Sequence, residues 1–227
     1  MDTIIDRMAG GTEGAPAILA PERPPLTHGA LRALMRDTVA RLNALGIGRG
    51  DRVAIVLPNG PEMATAFVSV AAGATTAPLN PAYREDEFDF YLSDIGAKAL
   101  LVTPDEAGPA VTVAERRGIA ILRLVPDVDG PAGAFTIAGD AIGTAARPGL
   151  AEPGDAALLL HTSGTTSRPK LVPLTHANLA ASAAHIGATL RLTPEDRCLN
   201  IMPLFHIHGL IAAVLSSLAA GASTYCS

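Results

Sequence analysis

The sequence predicts an α/β fold with largely parallel sheets flanked by helices. Short apolar segments typical of strands alternate with segments whose apolar residues recur at helical spacing. The segments between successive strands are long enough to hold a crossover helix, which parallel pairing requires. A hydrophobic content of 48% over 227 residues also supplies enough apolar side chains for a sizeable core.

The first predicted helix begins after Thr27, a residue type that favours the N-cap, and ends at Gly46 or Gly48. One face of this helix carries its apolar residues: Leu31, Leu34, Met35, Val39, Leu42 and Leu45. An apolar strand over residues 52–57 follows, and the turn sequence PNG closes it.

The same patterns predict further helices and the strands between them. The helices cover residues 61–72, 84–95, 106–117, 176–190 (with Thr175 as cap) and 207–219. The strands cover residues 75–80, 97–102, 119–125, 156–160 and 197–202, and a last strand lies within residues 220–227.

Between residues 126 and 155 the regular pattern gives way to Pro, Gly, Ala and Asp. This segment is either a loop-rich connection or a boundary between two lobes of one domain. We therefore divide the chain into a first lobe of about residues 1–125, a connection of about 126–155 and a second lobe of about 156–227.

Charge and cysteine content restrict the partners. A net charge of -5 and a pI near 5.6 provide no basic field for nucleic acid, so anionic substrates must be attracted by local groups. The apolar run over residues 210–222 is interrupted by two serines and is too short for a membrane span. Cys198 and Cys226 lack metal-ligand spacing, which indicates reduced thiols in a cytoplasmic protein.

The stretch ALLLHTSGTTSRPKLVPLTH, residues 157–176, combines an apolar strand with a hydroxyl-rich turn. The turn offers backbone N–H groups and hydroxyl donors, which is how proteins build concave anion sites. The residues in question are Thr162, Ser163, Gly164, Thr165, Thr166 and Ser167. Lys170 adds a mobile positive charge. The alternative is an ordinary polar surface loop, because the same residue types also form loops.

A second candidate segment, MPLFHIHG, covers residues 202–209, where a predicted strand hands over to a helix. Ligands of open parallel sheets bind outside the carboxyl ends of strands, so His206 is well placed to meet one. A structural turn histidine is the alternative. Asn59 in the turn LPNGPE needs no functional explanation, since asparagine is common in turns.

The other histidines receive no chemical role. His161 lies at a strand end, and His28 and His185 are expected at the surface. His176 and Asn178 open a predicted helix and are expected to serve its capping.

The two segments together resemble a known family. SGTTSRPK after an apolar strand resembles the phosphate-binding signature of the adenylate-forming superfamily, which includes acyl-CoA synthetases, aryl-CoA ligases, luciferases and peptide-synthetase adenylation domains. It is not a Walker loop, because GxxxxGK[ST] is absent. PLFH before an apolar helix resembles a second motif of acyl-CoA synthetases, and HTSGTTS with PK and VPL is most similar to oxalate-CoA ligases.

This resemblance implies the first part of the large N-terminal domain of an ATP-dependent carboxylate–CoA ligase. A carboxylate would attack the α-phosphate of Mg²⁺-ATP, and coenzyme A would then displace AMP to give a thioester. Residues 162–167 would hold the β- and γ-phosphates with help from Lys170, and His206 would orient the carboxylate. The oxalate-CoA ligase-like motif favours a small carboxylate as substrate.

The resemblance also implies missing parts. An adenine-binding motif, a ribose-binding aspartate and a mobile C-terminal domain are expected beyond Ser227, so we expect the chain alone to be nearly inactive. The alternatives are an aryl-CoA ligase, a peptide-synthetase adenylation domain, or a non-catalytic nucleotide-binding or interaction fragment. The sequence predicts neither the acid nor the oligomeric state.

Overall fold

Two β-sheets form the framework in the computed structural model, which describes residues 2–162 and 169–226. The larger sheet has seven strands in the order β7-β6-β5-β3-β4-β8-β9, and the smaller has four in the order β10-β11-β1-β2. The strands are β1 (Pro16–Leu19), β2 (Leu26–Thr27), β3 (Arg52–Val56), β4 (Thr75–Pro78), β5 (Ala99–Val102), β6 (Ala120–Pro126), β7 (Phe135–Ala138), β8 (Ala156–Thr162), β9 (Lys170–Thr175), β10 (Arg197–Asn200) and β11 (Ser223–Cys226).

The helices are α1 (Ile4–Arg7), α2 (His28–Ala44), α3 (Pro61–Ala71), α4 (Glu85–Ile95), α5 (Pro109–Arg117), α6 (His176–Leu190) and α7 (Ser216–Ala219), with a 3-10 turn at Met8–Gly10 and a π-helix at His208–Leu215. The predicted helices are present with similar bounds, whereas the short α1 and the 3-10 turn after it precede the first predicted helix and were not predicted. The Thr27 hydroxyl accepts from the Ala30 N–H at 3.2 Å, as an N-cap should. Thr175 and Asn178 form a capping box at the start of α6.

The larger sheet confirms the parallel prediction over its centre. β3 pairs in parallel with β4 and β5, β5 with β6, and β4 with β8. Two antiparallel strands, β7 and β9, close its edges. Because parallel strands point the same way, the carboxyl ends of β3, β4 and β8 lie along one edge of the sheet.

Both sheets take strands from before and after the loop-rich connection. β8 joins β4 in the larger sheet, and β11 lies between β10 and β1 in the smaller one. The connection itself contributes β7. The division into two lobes stays a prediction, whereas strand pairing joins the two segments in the described part of the chain.

Helix α3 lies between the sheets. Every residue from Met63 to Ala71 is buried, and the helix contacts α2, β4, β1, β11 and the π-helix. A helix that is apolar all round must be covered on every side.

In the described ranges, no helix is long and apolar enough to cross a bilayer.

Two histidines contradict the surface and capping predictions. His28 and His176 are both fully buried, whereas His185 is exposed as predicted. Nε2 of His28 donates to the Ala222 carbonyl at 3.1 Å, and Nδ1 of His176 accepts from the Ile4 N–H at 3.2 Å. The histidines at the starts of α2 and α6 therefore hydrogen-bond these helices to the segments that contain Ala222 and Ile4.

Burial lowers the pKa of His28 and His176, because desolvation disfavours the charged imidazolium. The Ala222 carbonyl opposes this at His28, and the negative charge of Asp155 opposes it at His176. When the pH falls below 6.5, the ordinary pKa of histidine, the unfolded state takes up protons at these two rings before the folded state does.

We expect the free energy of unfolding to be highest at pH values above the ordinary histidine pKa and to fall as the pH is lowered through that pKa. Urea denaturation at about pH 7.5 and about pH 5.5 measures the change. In His176→Asn, Oδ1 can still accept from the Ile4 N–H but the titrating ring is gone, so the pH-dependent loss should be smaller. An equal loss in wild type and His176→Asn would contradict this account.

Candidate functional site

The carboxyl edge of the larger sheet collects the ends of three parallel strands. Asn59 follows β3, Asn80 follows β4, and β8 ends at Thr162. β9 then returns antiparallel, with Lys170 paired opposite Thr162. The hairpin therefore brings the predicted lysine back to the strand end where the hydroxyl-rich turn begins.

Most of the predicted phosphate turn lies outside the described residues, namely Ser163, Gly164, Thr165, Thr166 and Ser167. Thr162 and Lys170 are described, and both side chains are exposed. The exposed lysine can therefore reach an anion at the end of the hairpin without first breaking a buried contact.

A cavity of about 500 Å³ lies where the hairpin meets the PLFH segment. It is lined by Leu160, His161, Thr162, Val172, Leu174, Met202, Phe205, His206, Ile207 and His208. Its lining thus brings two sites predicted from distant parts of the sequence, Thr162 and His206, to one opening. Lys170 is on the same hairpin but is not among the lining residues.

A second cavity of about 300 Å³ lies between α2 and β7, away from both motifs. Its principal cation, Arg41, is engaged in the fold, because its guanidinium donates to the carbonyl oxygens of Ile137 at 2.8 Å and Gly139 at 3.2 Å. We therefore assign the candidate site to the cavity at the hairpin.

His206 is presented by a tight turn that leads into the π-helix. Its N–H donates to the Pro203 carbonyl at 3.2 Å, and its own carbonyl accepts from the Leu210 N–H at 3.2 Å. Glycine at position 209 lets the start of the helix lie close to the Pro203 carbonyl, since a Cβ there would be only 2.6 Å from the Pro203 oxygen. The imidazole is exposed at the cavity with the Phe205 ring centroid 4.6 Å away.

A side-chain hydrogen bond accompanies the last turn of the π-helix. The hydroxyl of Ser216 donates to the Ile211 carbonyl at 2.7 Å, five residues back, and the Ser216 N–H is directed to the same carbonyl. Single π turns occur often at functional sites. The predicted helix over residues 207–219 is present, and residues 208–215 of it are π-helical.

His161 is more involved than its sequence position indicates. Its Nε2 lies 2.8 Å from Oδ2 of Asp94, and its side chain is only 8% exposed. Its ring packs edge-on to Tyr91 at a centroid distance of 4.6 Å. Tyr91 in turn stacks on Tyr83, whose pKa is raised by burial. The end of β8 is thereby fastened to α4, and no pattern in the sequence indicates this pairing.

Within residues 2–162 and 169–226, no group of three or more His, Cys, Asp or Glu side chains is placed to hold a metal ion. Cys198 and Cys226 are free thiols, and burial raises the pKa of both.

Known proteins share both the sequence pattern and the fold of this chain. A profile of the AMP-binding enzyme family matches residues 5–227. The chain belongs to the AMP-binding enzyme family.

Curated relatives of this chain include CoA ligases. It is 43% identical over 201 residues to an oxalate–CoA ligase of Arabidopsis thaliana, a match covering 87% of the chain and 39% of the relative. It is 39% identical over 196 residues to an oxalate–CoA ligase of Saccharomyces cerevisiae, covering 74% and 35%. The chain thus spans less than half the length of these relatives.

Solved structures share the fold of this chain. Apo MatB from Rhodopseudomonas palustris matches with a TM-score of 0.81 and 27% identity, over 98% of the chain and 44% of that protein. ATP-bound MatB from the same organism matches with a TM-score of 0.80 and 26% identity, over the same shares. The family match and these folds confirm the predicted resemblance and fold class.

We expect His161 and Asp94 to be energetically coupled. His161→Phe keeps an aromatic ring against Tyr91 but removes the Nε2 donor, and Asp94→Ala removes the acceptor. A double-mutant cycle on the free energy of unfolding should give a coupling of roughly 0.5–1 kcal/mol, which is below the about 1.5–3 kcal/mol of a hydrogen bond to a charged group because Asp94 is 42% exposed. A coupling near zero would contradict the role given to this pair.

Proposed function

We propose that the chain is part of an ATP-dependent carboxylate–CoA ligase. The observation that carries the proposal is the meeting of the Thr162 strand end and the His206 turn at one cavity. The curated relatives support the reaction class, since those reported above are CoA ligases. The proposal concerns the whole ligase, because the chain spans less than half the length of these relatives. For the chain alone we propose ATP binding with little turnover.

The hairpin of β8 and β9 is proposed to hold the β- and γ-phosphates of ATP. Residues 162–167 supply backbone N–H groups and hydroxyl donors for phosphate oxygens. Lys170 neutralises part of the phosphate charge, and its pairing opposite Thr162 supports this role because it returns the cation to the same end of the hairpin. An acidic chain with a net charge of -5 needs such local cations to attract ATP.

His206 is proposed to orient the carboxylate. In the first step a carboxylate oxygen attacks the α-phosphorus of ATP, the bond to the bridging oxygen breaks, and pyrophosphate leaves. The thiolate of coenzyme A then attacks the acyl carbon of the adenylate, and AMP leaves. Both steps depend on alignment of the reacting atoms, which an exposed imidazole on the cavity wall can provide. Mg²⁺ enters this proposal as part of the nucleotide.

A small carboxylic acid such as oxalate is the proposed substrate. The oxalate–CoA ligases of a plant and a yeast support this choice at 43% and 39% identity. An aryl acid is the competing substrate, and the two are distinguished by which acid stimulates pyrophosphate exchange. The free thiols Cys198 and Cys226 support a cytoplasmic location as a further proposal.

We expect Lys170→Ala to weaken ATP binding by about 10- to 100-fold, because a hydrogen bond to a charged group contributes about 1.5–3 kcal/mol. Isothermal titration calorimetry on the 227-residue chain measures the affinity. Arg36→Ala is the matched control, since it removes one exposed positive charge on α2, away from the cavity. Equal affinities for Lys170→Ala and Arg36→Ala, or no ATP binding by wild type, would contradict the proposal for the chain.

A further inference from the structure

The PLFH turn crosses from one sheet to the other. It leaves the smaller sheet at the end of β10 and lies over the carboxyl edge of the larger sheet, where Leu204 is 1% exposed. Leu204 and Phe205 face Leu57, Met63 and Leu79 across a gap of only about 10 Å³. Apolar packing therefore holds the turn down but is non-directional, so it does not by itself set the position of His206 along the edge.

One long-range hydrogen bond fixes the position of this turn relative to the larger sheet. The Leu204 N–H donates to Oδ1 of Asn59 at 2.9 Å, across 145 positions in the sequence. The turn's other hydrogen bonds in the described part of the chain are local: the Asn200 side chain bonds the Met202 backbone at 3.1 and 3.3 Å, and the His206 N–H bonds Pro203. Asn59 thus provides the directional tie between this turn and the larger sheet among the described residues.

The behaviour of Asn80 shows that Asn59 is not an ordinary turn asparagine. Asn80 follows the neighbouring strand β4, and its Oδ1 accepts from the Ala82 N–H at 2.9 Å, two residues on. That is the usual local bond by which asparagine stabilises a turn. Asn59 likewise follows a parallel strand, β3, but directs its side-chain oxygen to the distant backbone N–H of Leu204.

We propose that Asn59 is a positioning residue that sets the His206 turn against the strand edge carrying Thr162. The proposal rests on the proposed function for the role of His206 and deepens it by naming the group that places this imidazole. Asn59 acts only through the Leu204 N–H, two residues before His206, and touches no substrate. The position needs a side-chain acceptor of asparagine length directed at Leu204.

Amide hydrogen exchange at Leu204, followed by NMR on the unliganded chain, tests the bond directly. Asn59→Leu keeps the side-chain size but removes the acceptor, and exchange at Leu204 should accelerate about 2- to 10-fold, the range for one hydrogen bond. Asn59→Asp keeps an acceptor at Oδ1 and should restore slow exchange. Asn80→Leu, the matched control, should leave Leu204 exchange unchanged.

The imidazole signals of His206 provide the second readout. They should shift in Asn59→Leu and return toward wild type in Asn59→Asp, whereas a general loss of stability, measured separately by urea denaturation, would not show rescue by aspartate. Unchanged Leu204 exchange in Asn59→Leu, or failure of Asn59→Asp to restore it, would overturn the proposal.

These results are independent of the nucleotide assay. If the exchange responds as expected but wild type does not bind ATP, the proposed function fails while the Asn59 contact stands. If ATP binds and Lys170→Ala weakens it, but Leu204 exchange and the His206 signals do not respond to Asn59→Leu, the function stands and the positioning role fails.

Discussion

The apolar helix α3 lies between the two sheets, with every side chain from Met63 to Ala71 buried. It contacts β4 of the larger sheet and both β1 and β11 of the smaller one. Since a helix without a polar face cannot be left exposed, both sheets must pack against it. This packing determines where the end of β10 lies relative to the carboxyl ends of β3, β4 and β8.

The candidate site is a consequence of that arrangement. The larger sheet supplies a strand end and a returning hairpin, and the smaller sheet supplies a turn that crosses to the same edge. Leu204 holds the turn by burial, while Asn59 adds a directional bond to this turn and the His161–Asp94 pair adds one at the end of β8. A cavity built this way combines residues that are far apart in the sequence.

Most of the fold could be predicted from the sequence because local signals, such as helix caps, agree with the pattern of buried residues. Thr27 and Thr175 cap the helices that were predicted to follow them, and the apolar runs of β3, β5 and β8 are strands. β1, β2, β7 and β9 are not among the predicted strands, and β9 contains Pro173, a residue type that normally argues against a strand. Pro173 is tolerated here because β9 is an edge strand.

The parts that the sequence did not predict depend on long-range contacts. The buried rings of His28 and His176 are hydrogen-bonded to Ala222 and Ile4, which are far from them along the chain. The same holds for Asn59, which reads as a turn residue until its partner at Leu204 is known. Residue types and spacing identified Thr162, Lys170 and His206 as candidates, whereas the side chains that support them were identified only from the three-dimensional contacts.

If the β8–β9 hairpin and the His206 turn form one ligand site, both must respond to its ligands. An NMR titration of the chain with ATP, and then with oxalate, tests this because both segments are observed in one experiment. We expect ATP to shift the signals of Thr162 and Lys170, and oxalate added to the ATP-loaded chain to shift those of His206. Shifts confined to other surfaces, such as the cavity between α2 and β7, or no shifts at all, would contradict it.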